Sequence, residues 1–293
     1  MSNLLTPREL AEAIGVSESS VKRWVDDGRI RAARTAGGHR RISVREAMRF
    51  VRESDAVLVR PEVLGLDELR AVERDRRSAD EARRLYASLQ GGAVPETLGL
   101  VTSLYLEGWS VASIVDGPLR RALERLGRLW RDDEAGIFFE HRALDLAVRA
   151  LNRLREVLPE PEEDAPPALG GAPSGDPYLL PSLAAATVLQ AEGFDATNLG
   201  PETPLETLRL AAERIRPRLV WLSVSVAEDP AALSSGIAEL LGPEDRDGPL
   251  VVLGGRSAAR LRLPLHPRLH RGATMAELAA LAKGLRRAAR LPA

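Results

Sequence analysis

LWRDDEAGIFFEH at 129–141, running into RALDLAVRALNRLREVL at 142–158, sets the reading of this chain. Trp130 is followed by nine residues and then by the adjacent pair Glu140-His141, which opens a strongly helical run predicted to begin at Phe139 or Glu140. An acid at a helix N-terminus complements the helix dipole, a large aromatic is ordinary core, and a histidine is ordinary surface. The same three residues can equally be an aromatic wall with an imidazole and its orienting acid. The flanking sequence has to choose between these readings.

Upstream of this stretch, Leu69, Val72, Leu85 and Leu89 recur at helical spacing, although RDRRSADEARR at 74–84 is too charged for a long dimerising coiled coil. Gly91, Gly92 and Pro95 end that helix, a second covers 96–106, Gly108 breaks it, and a third spans 111–130. With the run after Glu140 they make a four-helix bundle over 62–158.

The chain has 293 residues, 44% of them hydrophobic, which is enough for two or three domains with real cores. It contains no cysteine, which excludes disulfides, thiolate metal sites, cysteine nucleophiles and thioether-linked cofactors. No run approaches the ~18 apolar residues of a membrane span, and the charged N-terminus lacks a signal core, so a cytoplasmic protein without membrane contact is expected. The net charge of -1 conceals an asymmetry. Residues 1–52 carry eleven Lys and Arg against six Asp and Glu and stand at +5, leaving -6 for the remainder. That basic end is the candidate for nucleic acid.

Thr6-Pro7 can cap and start a helix that Gly15 ends, and the serines of Ser17-Glu18-Ser19-Ser20 can cap a second that stops at Gly28. Two short helices about a glycine turn make a helix-turn-helix, and Ser19, Ser20, Lys22 and Arg23 of the second are candidate groove or phosphate contacts. Residues 29–42 read as two short strands about Ala36-Gly37-Gly38, forming a basic wing. Its candidate contacts are Arg34, Gly37, Gly38, His39, Arg40 and Arg41, with His39 structural or phosphate-binding rather than a metal ligand. A DNA-binding domain is expected over 1–55, closed by a helix through Met48 and Val51.

Downstream, 159–176 is rich in proline and reads as a linker. Apolar strand-like runs then alternate with helical ones through VWLSVSVAED and VVLGG to a last helix at 275–289. This predicts an α/β domain over 168–293 with a parallel, doubly wound sheet, whose ligands bind at the carboxyl ends of the strands.

TPRELAEAIGVSESSVKRW with RTAGGHRRIS resembles the winged helix-turn-helix of the MerR family. Trp130-x9-Glu140-His141 followed by a helix, then NLGPETPLETL, VWLSVSVAED and VVLGGRS in that order, resembles the helical bundle and the cobalamin-binding, Rossmann-like domain of CarH-type light-sensing regulators. The likeness extends over nearly the whole chain. It implies a multidomain fold of winged helix-turn-helix, four-helix bundle and α/β Rossmann-like domain. It also implies a non-enzymatic, light-responsive transcription regulator that binds a double-stranded DNA operator as a dimer or tetramer. Trp130, Glu140 and His141 would cap a tetrapyrrole held between bundle and sheet, with Ser223, Ser225, Gly254 and Gly255 along the slot for a nucleotide tail.

One departure bears on the chemistry. The family motif at the first strand-to-helix turn is an acid, any residue, the histidine that ligates cobalt, two residues and glycine. Here Asp176 keeps the acid, Tyr178 replaces the histidine and Pro181 replaces the glycine. Neutral tyrosine, with a pKa near ~10, is a poor cobalt ligand. The expected cofactor is therefore either cobalamin (adenosylcobalamin) in altered ligation, with His141 as candidate axial ligand, or a noncovalent linear tetrapyrrole such as biliverdin. A regulator that has lost its ligand and keeps these domains for protein contacts is the alternative, and a corrinoid carrier or enzyme the third reading.

Overall fold

The computed structural model describes residues 4–72, 80–129, 134–244 and 248–290, and divides into two compact units, Met1–Glu160 and Pro161–Ala293.

The first unit opens with β1 (Leu4–Leu5) and α1 (Pro7–Ile14). Thr6 and Glu9 form a reciprocal capping box at the start of α1, and Gly15 ends it at φ +70°, a backbone angle that glycine adopts without a Cβ penalty. Ser17 caps α2 (Glu18–Asp26) by accepting from the Ser20 N–H. β2 (Ala33–Arg34) and β3 (Arg40–Ser43) pair antiparallel as the wing, and β1 adds to the other side of β3. Ser43 then caps α3 (Val44–Ser54). Trp24 and Phe50 tie α2 to α3, ring centroids 5.0 Å apart, under the Arg29 guanidinium.

Two 3-10 turns, Pro61–Leu64 and Asp67–Arg70, lead towards α4 (Glu81–Gly91) and α5 (Val94–Leu106). α6 (Val111–Ile114) passes through a π-helical turn, Val115–Leu119, into α7 (Arg120–Leu129). The wider turn accommodates Pro118, which has no N–H to give an α-helical carbonyl. α8 (Glu134–Val157) completes the unit. Its buried Ala143, Leu146, Ala147, Ala150, Leu151, Leu154 and Val157 make one stripe at helical spacing, packed on α4, α5 and α7. α8 starts at Glu134, several residues before the predicted Phe139 or Glu140, so Glu140 and His141 lie inside the helix rather than at its first turn. Gly136 lies within this added turn. A glycine costs a helix only about 1 kcal/mol, and here it is buried in the packing.

The second unit is a five-stranded, all-parallel sheet in the order β5-β4-β6-β7-β8. Its strands are β4 (Pro167–Gly171), β5 (Asp195–Asn198), β6 (Leu219–Ser223), β7 (Leu250–Gly254) and β8 (Leu269–Arg271). Its helices are α9 (Leu179–Ala191), α10 (Leu205–Ile215), α11 (Pro230–Leu241) and α12 (Met275–Arg290). Leu208, Ile237 and Leu241 cover Val220, Leu222 and Leu253 on one face. On the other, α9 lies against β4, β5, β6 and α12 and is buried from Ser182 through Gln190.

The stretch expected as a linker at 159–176 thus contains an inner strand. Proline and two glycines in Pro167–Gly171 gave β4 the composition of a turn. The glycines answer to close neighbours: a Cβ on Gly170 would sit 2.2 Å from the indole of Trp221, which occupies that space, and one on Gly171 2.8 Å from Gly200 O. No described helix is long and apolar enough to cross a membrane.

Candidate functional site

On α2 the Ser17 hydroxyl is bonded to those of Ser19 (2.8 Å) and Ser20 (2.9 Å), and Lys22 is paired with Glu18 at 2.8 Å. Ser19, Lys22 and Arg23 are exposed on α2. At the wing tip, Thr35 N–H donates to His39 O and Gly38 N–H to Thr35 O, with Gly38 at φ +77°. Arg34, Gly37, Gly38 and His39 all face solvent. Arg40 behaves differently. Its guanidinium reaches Asp26 at the end of α2 (2.5 Å) and is three-quarters covered, so it fastens the wing to the recognition helix. Arg41 donates to the Arg40 carbonyl at 3.1 Å.

The head is docked on the bundle by two arginines of α3. Arg52 lies over the Tyr105 ring (4.2 Å) and donates to the carbonyls of Tyr105, Gly108 (3.1 Å) and Trp109 (3.0 Å), where α5 ends. Arg45 donates to Leu158 O, just beyond α8 (3.2 Å). Cations at the unsatisfied carbonyls of helix C-termini are favourable on both hydrogen-bond and dipole grounds. Burial pushes the Tyr105 phenol up, partly opposed by the Arg52 charge.

Of the bundle residues singled out above, Trp130 lies outside the described residues. Glu140 is half-buried and His141 exposed. Ile137 and Phe138 beside them are each 60% exposed, and the Arg142 guanidinium stands 5.1 Å from the rings of both Phe138 and Phe139.

The sheet order puts its switch point between β4 and β6, whose chains leave the sheet in opposite directions, and a crevice there is where such folds take ligands. Asp176 is fully buried in it. Its carboxylate accepts from the N–H groups of Tyr178 (3.1 Å), Ser225 (2.5 Å) and Val226 (3.1 Å), joining the loop after β4 to the loop after β6. Tyr178 starts α9, and its side chain is 37% exposed. Over its ring, at 5.1 Å, lies the guanidinium of Arg256, whose Nε donates to Ser225 O at 3.0 Å. Ser257 Oγ donates to the same carbonyl at 2.9 Å. Ser223 and Ser225 are buried, and Gly254 O accepts from Val224 N–H at 2.8 Å. Gly255, at φ +103°, is packed so closely that a Cβ would come 2.3 Å from Val224 O. Structure therefore brings Asp176, Tyr178, Ser225 and Gly255 together and adds Arg256 and Ser257, which stand in VVLGGRS but were given no role there. The Arg-Ser pair directly after the Gly-Gly was the only available signal. Among the described residues no group of three or more His, Asp or Glu could hold a metal ion.

Residues 4–54 match the helix-turn-helix domain family. The HTH-type transcriptional repressor CarA of Myxococcus xanthus is 29% identical over 244 residues, covering 80% of this chain and 81% of CarA. Among solved structures, the monomethylamine corrinoid protein of Methanosarcina barkeri superposes with a TM-score of 0.52 at 17% identity, over 69% of this chain and 96% of that one, a likeness of fold alone. The chain thus carries a head of the helix-turn-helix domain family, followed by a helical bundle and a Rossmann-like domain with the fold of that corrinoid protein, and in sequence it is similar to the repressor CarA over most of its length.

Proposed function

We propose that this regulator takes its signal from a light-responsive tetrapyrrole bound without a histidine on the sheet side, and that a linear, metal-free pigment such as biliverdin suits the chain better than cobalamin. The observation that carries this reading is Tyr178, under Arg256, at the position of the missing imidazole. Cobalamin would need there a cobalt ligand and a slot for its nucleotide tail. The phenol is a poor ligand. The slot positions are closed on one another, with Gly255 against Val224 and the Ser225 carbonyl engaged by Arg256 and Ser257. The space that Gly170 leaves is filled by Trp221. The residues at this edge do not fit cobalamin held by a lower imidazole with its tail in the slot, which leaves His141 as its one candidate ligand. A planar pigment without a tail needs neither feature, and the lack of cysteine makes its binding noncovalent. His141, exposed on α8, is the candidate for hydrogen bonding or proton exchange with the pigment, with Glu140 to orient it and Trp130 as an aromatic wall.

Incubating the purified chain with biliverdin or adenosylcobalamin, and recording spectra in darkness and after illumination, tests this. The expected result is a red-absorbing biliverdin complex that changes on illumination, weakened by His141→Ala or Trp130→Ala, with no tight cobalamin complex. Tight cobalamin binding that vanishes in His141→Ala would reverse the choice of ligand. The self-satisfied cage of Asp176 also favours a second reading, in which the sensor is ligand-free and serves protein contacts. A chain that changes neither pigment's spectrum supports it.

The head is proposed to bind its operator as part of a homodimer or tetramer, since one short helix and a wing touch too few bases for useful specificity. Arg23→Ala is expected to weaken operator binding and to lower the salt-dependence slope by about one, the signature of a lost phosphate contact. Arg40→Ala is expected to weaken binding with the slope little changed, because Arg40 is already neutralised by Asp26 and acts by holding the wing. Titrations at several salt concentrations separate the two. Equal slopes for wild type and Arg23→Ala would remove Arg23 from the interface.

A further inference from the structure

We propose that Arg256 is the specificity-determining residue of the sensor, a preformed fork for a carboxylate carried on the side chains of the tetrapyrrole; this deepens the reading above and rests on it. The arginines of this unit whose contacts are defined hold the fold with their terminal nitrogens. Arg268 and Arg271 donate theirs to backbone carbonyls, and Arg209 pairs with Glu206 and Glu213. Others, such as Arg260 and Arg262, are exposed and unanchored. Arg256 is both held and open. Its Nε is fixed on Ser225 O and its guanidinium carbon stands 5.1 Å from the Tyr178 ring centroid, while among the described residues its terminal nitrogens meet no carboxylate.

The anchorage is itself rigid. Ser225 O also accepts from Ser257 Oγ, and the N–H groups of Ser225 and Tyr178 both end on the buried carboxylate of Asp176. The backbone groups that carry ring and guanidinium therefore meet at one buried carboxylate, and the bond from Arg256 Nε to Ser225 O lowers the side-chain freedom to be lost when a partner arrives. The geometry selects the partner's chemistry. A guanidinium with two free terminal nitrogens matches a carboxylate in a bidentate pair, and an amide poorly. Linear tetrapyrroles such as biliverdin carry propionate side chains, whereas the side chains of a corrin are amides. Arg256 thus discriminates between the two pigment classes by a group remote from the conjugated system.

Biliverdin and its dimethyl ester, in which both propionates are masked, titrated into the full-length chain and followed by absorption, provide the test. Wild type is expected to bind biliverdin about tenfold to a hundredfold more tightly than the ester, the range for a hydrogen bond to a charged group. Arg256→Gln should remove most of that preference, lowering affinity for biliverdin while leaving the ester nearly unaffected. Arg256→Lys, which keeps the charge without the fork, should fall between. Equal affinity of wild type for acid and ester overturns the proposal, and needs no variant. So does an Arg256→Gln chain that loses affinity for both pigments alike, which would make the arginine only a cover for Tyr178. Failure of both pigments to bind wild type overturns the tetrapyrrole reading itself, an outcome distinct from either of these.

Discussion

Trp221→Ala is expected to lower the stability of the Rossmann-like unit by about 3–5 kcal/mol, the usual range for a large aromatic removed from a core. Trp221 is 2% exposed and sits on β6 directly across from Gly170 of β4. Its indole fills the space that Gly170 leaves, and its Nε1 donates to Ser182 Oγ on α9 at 3.1 Å. Ser182 Oγ in turn donates to Asn198 Oδ1 at 2.7 Å, which also accepts from Gly200 N–H. Truncation opens a cavity beneath α9 and breaks the head of this chain of bonds, so no neighbour can collapse into the gap without moving a strand or a helix. Trp221→Phe should cost less, because most of the ring remains and only the donor is lost. The reciprocal change, Gly170→Ala, places a Cβ 2.2 Å from the indole and 2.3 Å from the Trp221 carbonyl, so overpacking should destabilise as well. Denaturant unfolding of the full chain, followed by far-UV circular dichroism, measures all three. A loss below about 1 kcal/mol for Trp221→Ala would mean that the indole is not a core element.

Local chemistry made the head legible from sequence. Thr6, Gly15 and Ser17 each have one backbone function at a helix end, and the structure uses each for it, with Glu9 completing the cap at Thr6. The bundle and the alternating strands and helices were readable because their apolar periodicity extends over many residues. What escaped notice was set by partners distant in sequence. β4 has the composition of a turn, yet it is an inner strand whose Gly170 leaves the room that Trp221, fifty-one positions later, fills. β1 and β8 are two and three residues long, too short for any period to show. Arg40 and Arg41 are neighbours in a basic run, and only the fold reveals that Asp26 claims the first. Arg256 stood inside VVLGGRS with no role of its own, and its meaning comes from Tyr178 and Ser225, on two other loops.

Asp176→Ala should be the most damaging single change at the sheet's carboxyl edge. Three N–H donors converge on this carboxylate, from Tyr178, Ser225 and Val226, and the side chain has no exposed surface. Each buried donor left without an acceptor costs about 1–3 kcal/mol, and since the Tyr178 and Val226 donors are only part-buried, water should relieve some of this. A net loss of about 3–5 kcal/mol is expected, large against the ~5–15 kcal/mol of a whole domain. Asp176→Asn is the more informative variant. Its amide has one acceptor oxygen for three donors, and its NH2 must then face at least one N–H, so stability should fall by less than in the alanine variant but still measurably. The consequence for the site should exceed the loss of stability. Tyr178 and Ser225 are both positioned by this carboxylate, and Ser225 positions Arg256, so loosening it separates ring from guanidinium while the sheet persists. At a temperature where Asp176→Asn is fully folded, its biliverdin affinity is expected to fall about as far as in Arg256→Gln, and its preference for the acid over the ester to shrink in parallel. A folded Asp176→Asn chain with wild-type affinity and preference would show that the stack is held by the loops themselves and owes nothing to Asp176.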